Sequence, residues 1–259
     1  MKLDIYQIDA FTNELFKGNP AMVVPLASWI SVDVMQNIAA ENNLSETAFY
    51  VRNDENFEIR WFTPTVEVNL CGHATLAAAF VVFKRNEVAG NQVVFNSKSG
   101  ALKVDKTADG LELDFPITVP SVVELPKWIK DVGGNPIEAY SCKDDFLLIY
   151  DSEKAIENLK PNFTALKQVA VRGIICSSKS ERYDFVSRFF APGAGIDEDP
   201  VTGSAHTKLV PYWAEVLKKE KLLAKQISKR GGELKCNLLG DRVKLSGEAK
   251  LFLKGEIYI

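Results

Sequence analysis

Only two histidines occur in the 259 residues, and both lie in a segment that is present twice. The first copy runs Arg60-Trp61-Phe62-Thr63-Pro64 to Cys71-Gly72-His73, and the second runs Arg188-Phe189-Phe190-Ala191-Pro192 to Gly203-Ser204-Ala205-His206. Arg60, Phe62 and Pro64 match Arg188, Phe190 and Pro192, and Gly72 matches Gly203 after a longer loop. Imidazole is the side chain whose charge changes nearest neutral pH, so proton transfer is the first chemistry to consider. His73 follows Gly72 in the first turn of an apolar helical stretch. A helix N-terminus there lowers its pKa and keeps the ring neutral, able to accept or relay a proton. His206 sits one step deeper, and both a structural and a site-lining role stay open.

Other residue types complete an acid–base set. Glu46 stands between the polar turn Asn42-Asn43-Leu44-Ser45 and the apolar stretch of residues 47–51. Partial desolvation of a carboxylate there raises its pKa toward that of a general base. A plain surface acid fits these residues too, and by themselves they favour it. Asp199 precedes Pro200 and the second helix start, where helix capping is the alternative role. Asp197, Glu198 and Asp199 lack a histidine or cysteine at ligand spacing, so no metal is expected. The amides after Gly72 and Gly203 suit an anionic oxygen, and Ser204 adds a hydroxyl donor. Cys71 sits where a thiolate is favoured, but its repeat partner is Thr202, so there is no symmetric thiol pair.

The standard phosphate-loop, dinucleotide, zinc-protease and serine-hydrolase signatures are missing, and no nucleotide cofactor is expected. A net charge of −3 argues against nucleic acid as a partner. Residues 217–230 are rich in lysine with interleaved leucines and are expected to be a solvated helix face. The N-terminal stretch carries Asp4 and Asp9 and is expected to be a strand, not a signal peptide. No apolar run approaches the roughly 18 residues of a membrane span. Cys71, Cys142, Cys176 and Cys236 form no CxxC pair, which points to a reducing cytoplasm.

These sites need elements to hold them. Strands are expected at 3–11 and 21–26, a Ser/Asp-capped helix at 31–42, and strands at 46–51 and 57–62 around a turn at 53–56. A helix at 74–84 is apolar on nearly every side and should be buried. Short strands follow to residue 116. From about 117 the order recurs, with strands at 146–151, 173–178 and 184–190, a helical stretch at 163–170, a second central helix at 204–219, and closing strands. Many short strands around one buried helix per half is an α+β pattern, without a helix after every strand as full parallel winding needs. The domains are placed at 1–116 and 117–259, with the last strand free to return to the first. Two such halves imply a pseudo-twofold protein with a cleft between them.

The segments IDAFT, GNPAMVV, NNLSETAF, RWFTPTVEVNLCGHATLAAA and FFAPGAGIDEDPVTGSAH resemble the PhzF family of phenazine-biosynthesis-type isomerases, in order and over essentially the whole chain. The resemblance implies the diaminopimelate-epimerase-like fold: two similar domains, each a barrel-like sheet around a central helix. It also implies a cofactor-independent homodimer with its active site between the domains. By motif position the proton-transferring glutamate is Glu46, assisted by His73 and Asp199, with Gly72, Cys71, Thr202, Gly203 and Ser204 around the substrate. Related epimerases use two cysteines on opposite faces of one carbon. With Thr202 opposite Cys71, and roughly Gly173 or Ile174 opposite Glu46, the expected site is asymmetric, with one main base. The leading expectation is an isomerase that moves a proton within a small unsaturated or cyclic carboxylate. An amino- or hydroxy-acid epimerase or racemase, and a non-catalytic binding or regulatory protein, are the alternatives.

Overall fold

Alternating burial makes a strand of the N-terminus, β1 (Lys2–Ala10), which turns back at Gly18 into β2 (Asn19–Leu26). Gly18 has φ +66°, and a Cβ there would lie 2.2 Å from the Ala10 carbonyl oxygen, so the turn admits only glycine. In the computed structural model, which describes residues 1–259, the chain divides into two units: Met1–Asp114 with Ser246–Ile259, and Phe115–Leu245.

In the first unit Ser31 caps helix α1 (Val32–Asn42), its Oγ accepting from the Val34 amide, and Asn43 closes the helix at φ 49°. α1 carries the chain back so that β3 (Glu46–Asn53) pairs parallel with β2. β4 (Asn56–Phe62) returns antiparallel, followed by the short β5 (Glu67–Val68). Helix α2 (Gly72–Lys84) then crosses over to β6 (Gln92–Ser97), which is parallel to β4. β7 (Gly100–Thr107) and β8 (Gly110–Pro116) complete a meander. Residues His73–Ala79 of α2 are buried without a break, which covers every face of the helix. The small Ala77, Ala78 and Ala79 let it pack inside the curl of β1, β2 and β3.

The second unit contains β9 (Ser121–Val123), α3 (Ile129–Val132), β10 (Glu138–Cys142), β11 (Asp145–Ile149), α4 (Glu153–Glu157) and α5 (Phe163–Leu166). β12 (Gly173–Lys179), β13 (Phe185–Phe190), α6 (Gly203–Leu217), β14 (Lys221–Gln226), β15 (Gly232–Leu239) and β16 (Arg242–Gly247) follow. The pairings from β10 to β15 run antiparallel, parallel, antiparallel, parallel, antiparallel. That is the order from β1 through β2, β3, β4 and β6 to β7. The repeat in sequence is therefore a repeat in topology, and each parallel pair is joined by a helical crossover. Pro211, inside α6, cannot bond the Thr207 carbonyl, and the Thr118 amide takes that place at 3.1 Å.

The last strand, β17 (Ala249–Tyr258), pairs with β1 from Lys2↔Tyr258 to Ala10↔Ala249. This pairing puts residues 246–259 with the first unit, a return that the division at 117 left open. Residues 221–226 are not a helix face but strand β14. Leu222, Ala224 and Gln226 point inward at a period of two, and β13 and β15 hold both edges. The helical stretch expected at 163–170 shrinks to the four residues of α5.

Each unit also has an outer core. Met35, Ile38 and Ala39 of α1 pack with Leu3, Ile5, Val24, Leu26, Phe49 and Phe62. In the second unit Ile156, Leu159 and Leu166 pack with Leu148, Tyr150, Ile174, Val186 and Phe190. The repeated Arg-x-Phe motif buttresses both. Arg60 lies 5.4 Å over the Phe62 ring and grips Glu67 through two bonds of 2.8 Å. Arg188 lies 4.8 Å over Phe190 and grips Glu198 at 2.7 and 2.9 Å. The Arg60 hydrogen bonds hold Glu67 down at a pKa of about 2. No helix is long and apolar enough to cross a membrane.

Candidate active site

Two of the three expected catalytic residues meet in the first unit. Glu46 is the first residue of β3, where parallel pairing sets it beside Ala21. Cys71 is the N-cap of α2 in extended conformation, and its side chain does not cap the helix. His73, two residues on, turns Nε2 toward Glu46 Oε2 at 3.2 Å, with side chains 7% and 14% exposed. The approach is close, but its angle is not that of a formed hydrogen bond, and catalytic contacts often tighten only around a substrate.

Asn19 and Cys71 flank the other edge of the ring. Asn19 Nδ2 lies 3.3 Å and Cys71 Sγ 3.5 Å from His73 Nδ1. An amide NH2 only donates, so with the amide in this orientation Nδ1 accepts and the ring proton sits on Nε2, facing the carboxylate. Burial drives the His73 pKa down to about 3 and keeps the ring neutral. The neutrality expected from the helix N-terminus thus comes chiefly from desolvation. Glu46, Cys71 and His73 bring three ligand-type atoms within 4.8 Å of one another. The thiol makes its close approach to Nδ1 and the carboxylate to Nε2. Gly72 opens α2 between Cys71 and His73.

Asp199, Thr202, Gly203 and Ser204 belong to the second unit and group around the start of α6. Thr202, the N-cap, does not cap the helix with its side chain. Its hydroxyl donates to Asp199 Oδ2 at 2.5 Å, and its amide donates to Gln226 Oε1 at 2.9 Å. Gln226 Nε2 in turn donates to the Asp199 carbonyl at 2.6 Å and to Thr202 Oγ1 at 3.2 Å. The fully buried Gln226 therefore frames the Asp199 loop. Glu198 is taken by Arg188, so the three acids 197–199 do not act as a group. A Cβ on Gly203 would meet no atom within 4 Å, so there is room beside this buried glycine.

His206 has a structural place. It is fully buried, its Nδ1 lies 2.8 Å from the Thr202 carbonyl, and its ring lies 5.9 Å from Phe185. A carbonyl only accepts, so the proton sits on Nδ1. Burial lowers its pKa to about 4. At Gly173, the counterpart of Glu46, a Cβ would lie 2.1 Å from Phe189 Cζ, so the second unit has no room for a matching carboxylate.

Sequence reasoning did not single out Asn19 or Gln226. Asn19 stood inside the segment GNPAMVV but carried no chemical signal of its own. Gln226 lay in the stretch read as a solvated helix face.

The comparisons with known proteins decide the family. A family model described as phenazine biosynthesis-like protein (PhzC-PhzF) matches residues 8–255. The chain belongs to the PhzF-like isomerase family. An uncharacterized isomerase of Pseudomonas aeruginosa is 49% identical over 258 residues, spanning 99% of each chain. A crystal structure of a PhzF-family protein from Enterococcus faecalis is 46% identical, covers 100% of both chains and superposes with a TM-score of 0.97. A hydroxyproline epimerase from Agrobacterium vitis, 8% identical, shares the fold at a TM-score of 0.65 over 99% of this chain and 92% of its own. The fold is thus α+β and diaminopimelate-epimerase-like, as the resemblance implies.

Proposed function

We propose that the protein is a cofactor-independent isomerase that moves a proton within a small unsaturated or cyclic carboxylate, with Glu46 as the base and acid. The observation that carries this reading is the Glu46 carboxylate 3.2 Å from a buried, neutral imidazole. Glu46 takes a proton from carbon and becomes a neutral acid, and the electron pair delocalises into the conjugated system. The same group then returns the proton at another carbon. His73, too poorly basic to accept that proton, keeps Nε2–H as a donor to the carboxylate or to negative charge forming on oxygen. Asp199 is given a supporting acid–base part on the family resemblance. The same resemblance supports a cytoplasmic homodimer that acts on a small molecule and needs neither nucleic acid nor membrane.

The test is proton NMR in heavy water with a dihydro-hydroxyanthranilate and a panel of small cyclic and amino carboxylates, comparing wild type with Glu46→Gln. The expected result is isomerisation or carbon-proton exchange that the variant loses. Equal exchange in both proteins would remove Glu46 as the base. Silence across the panel would favour a binding protein.

A further inference from the structure

We propose that Cys71 and His73 form a site for a thiolate-seeking divalent cation of the zinc class, and that the filled site blocks proton transfer at Glu46. The blockade rests on the isomerase reading, and the metal site does not. All of its residues belong to the first unit.

Thiol and imidazole stand at chelating distance. Cys71 Sγ lies 3.5 Å from His73 Nδ1. Metal–sulfur and metal–nitrogen bonds of about 2.3 and 2.0 Å span about 3.5 Å across a tetrahedral angle. An ion between the two atoms therefore keeps their separation as it is. Nδ1 has a lone pair to give, because the ring proton sits on Nε2. The Cys71 backbone is extended and its side chain does not cap α2, so Sγ is turned to the ring and not to the helix amides. A helix N-terminus also favours the thiolate that such an ion needs.

The neighbours of the pair match what the ion requires. The Asn19 side-chain amide lies 3.3 Å from Nδ1 and is fully buried. Turning that amide over exchanges its NH2 for its carbonyl oxygen, which is a third ligand atom. On the far edge of the ring, Glu46 Oε2 faces Nε2 at 3.2 Å. A metal-binding histidine commonly gives its other N–H to a carboxylate, which fixes the ring and raises its basicity. Glu46 already holds that place. One thiolate and one carboxylate balance a doubly charged ion, so the filled site is neutral, as its burial requires. Cys71 is 8% exposed. A sulfur and a nitrogen ligand together prefer zinc to magnesium or calcium. Binding replaces the Cys71 S–H bond by a metal–sulfur bond and releases the proton to water. The added positive charge and a tighter Nε2–H bond then make Glu46 a weaker base.

The experiment titrates metal-free protein with Co2+, reads the thiolate-to-cobalt charge-transfer absorption, and competes Zn2+ and Mg2+ against it. Wild type is compared with Cys71→Ser and Glu46→Gln. The expected result is a saturable band that Zn2+ displaces with a Kd of about 10 μM or below, that Mg2+ leaves alone, and that Cys71→Ser lacks. Glu46→Gln should keep the band and bind about tenfold more weakly. Cys142, Cys176 and Cys236 remain in Cys71→Ser, so a band surviving there belongs to another thiol and overturns the proposal. No saturable band up to about 1 mM Co2+, or equal affinity in Glu46→Gln, would also overturn it. A second readout needs no variant. Zn2+ should shift the ring nitrogens of His73 in 15N-labelled wild type and leave those of His206 in place, and the reverse would sink the site. Carbon-proton exchange in heavy water should fall with the same Zn2+ midpoint, and unchanged exchange in saturated protein would overturn the blockade. Exchange absent even from metal-free protein is instead a failure of the isomerase reading, and the band alone then decides the metal site.

Discussion

Glu46 and Gly173 hold the same position in the two repeats. Each opens the strand that follows the first parallel crossover of its unit and is the first residue in parallel register with the strand before, opposite Ala21 and Asp145 respectively. One is a carboxylate beside a neutral imidazole. The other has no side chain, and Phe189 fills the volume a side chain would need. The duplicated frame therefore carries a carboxylate at this position in one half only.

Glu46→Gln is expected to lower turnover by about 10²–10⁴-fold with little change in unfolding free energy, since the amide keeps the shape and loses only the basicity. His73→Asn should lower it less, because the proposed mechanism gives its Nε2–H a supporting part and leaves the proton on Glu46. Solvent exchange at the substrate carbon, read by NMR, measures both.

Cys71→Ser separates one-base isomerisation from two-thiol epimerisation. Sγ lies 3.5 Å from His73 Nδ1, and the matching N-cap is Thr202. The variant should keep activity within about tenfold of wild type. Loss as complete as that of Glu46→Gln would restore the epimerase reading.

Gln226→Leu should destabilise the protein by about 2–4 kcal/mol in urea unfolding. It leaves the buried Thr202 amide and Asp199 carbonyl without their glutamine partner. Activity should fall with it, because the Asp199 loop loses its frame. An unchanged midpoint would show that Gln226 does not hold the loop.

Stability should fall as pH drops below about 6.5, well before most carboxylates titrate. Burial lowers His73 to about 3 and His206 to about 4 from an ordinary 6.5. Between those values the unfolded chain binds more protons than the folded one. The stabilisation is therefore present in full above 6.5 and is lost as pH falls toward 4 and then 3. At pH 5 the loss is on the order of 2 kcal/mol per histidine. His206→Asn should remove about half of the pH slope in urea titrations at pH 7 and pH 5. A slope equal to that of wild type would assign the protons elsewhere.

What the sequence determined by itself was largely local. The alternation of β1, the Ser31 cap of α1 and the apolar run of α2 depend on residues within a few positions of one another, so their signals are complete in a short window. The Arg-x-Phe repeat announced two similar halves, and the family resemblance, not the bare chemistry, raised Glu46 above a surface acid. Tertiary structure decided the rest, because the partners are distant in sequence. Asn19 reaches His73 across 54 positions, and Gln226 reaches Thr202 across 24. β17 returns to β1 from the far end of the chain. Residues 221–226 became a strand because two neighbouring strands bonded its edges, which no lysine–leucine pattern encodes. His206, equal to His73 in residue type, is fully buried with Nδ1 against the Thr202 carbonyl.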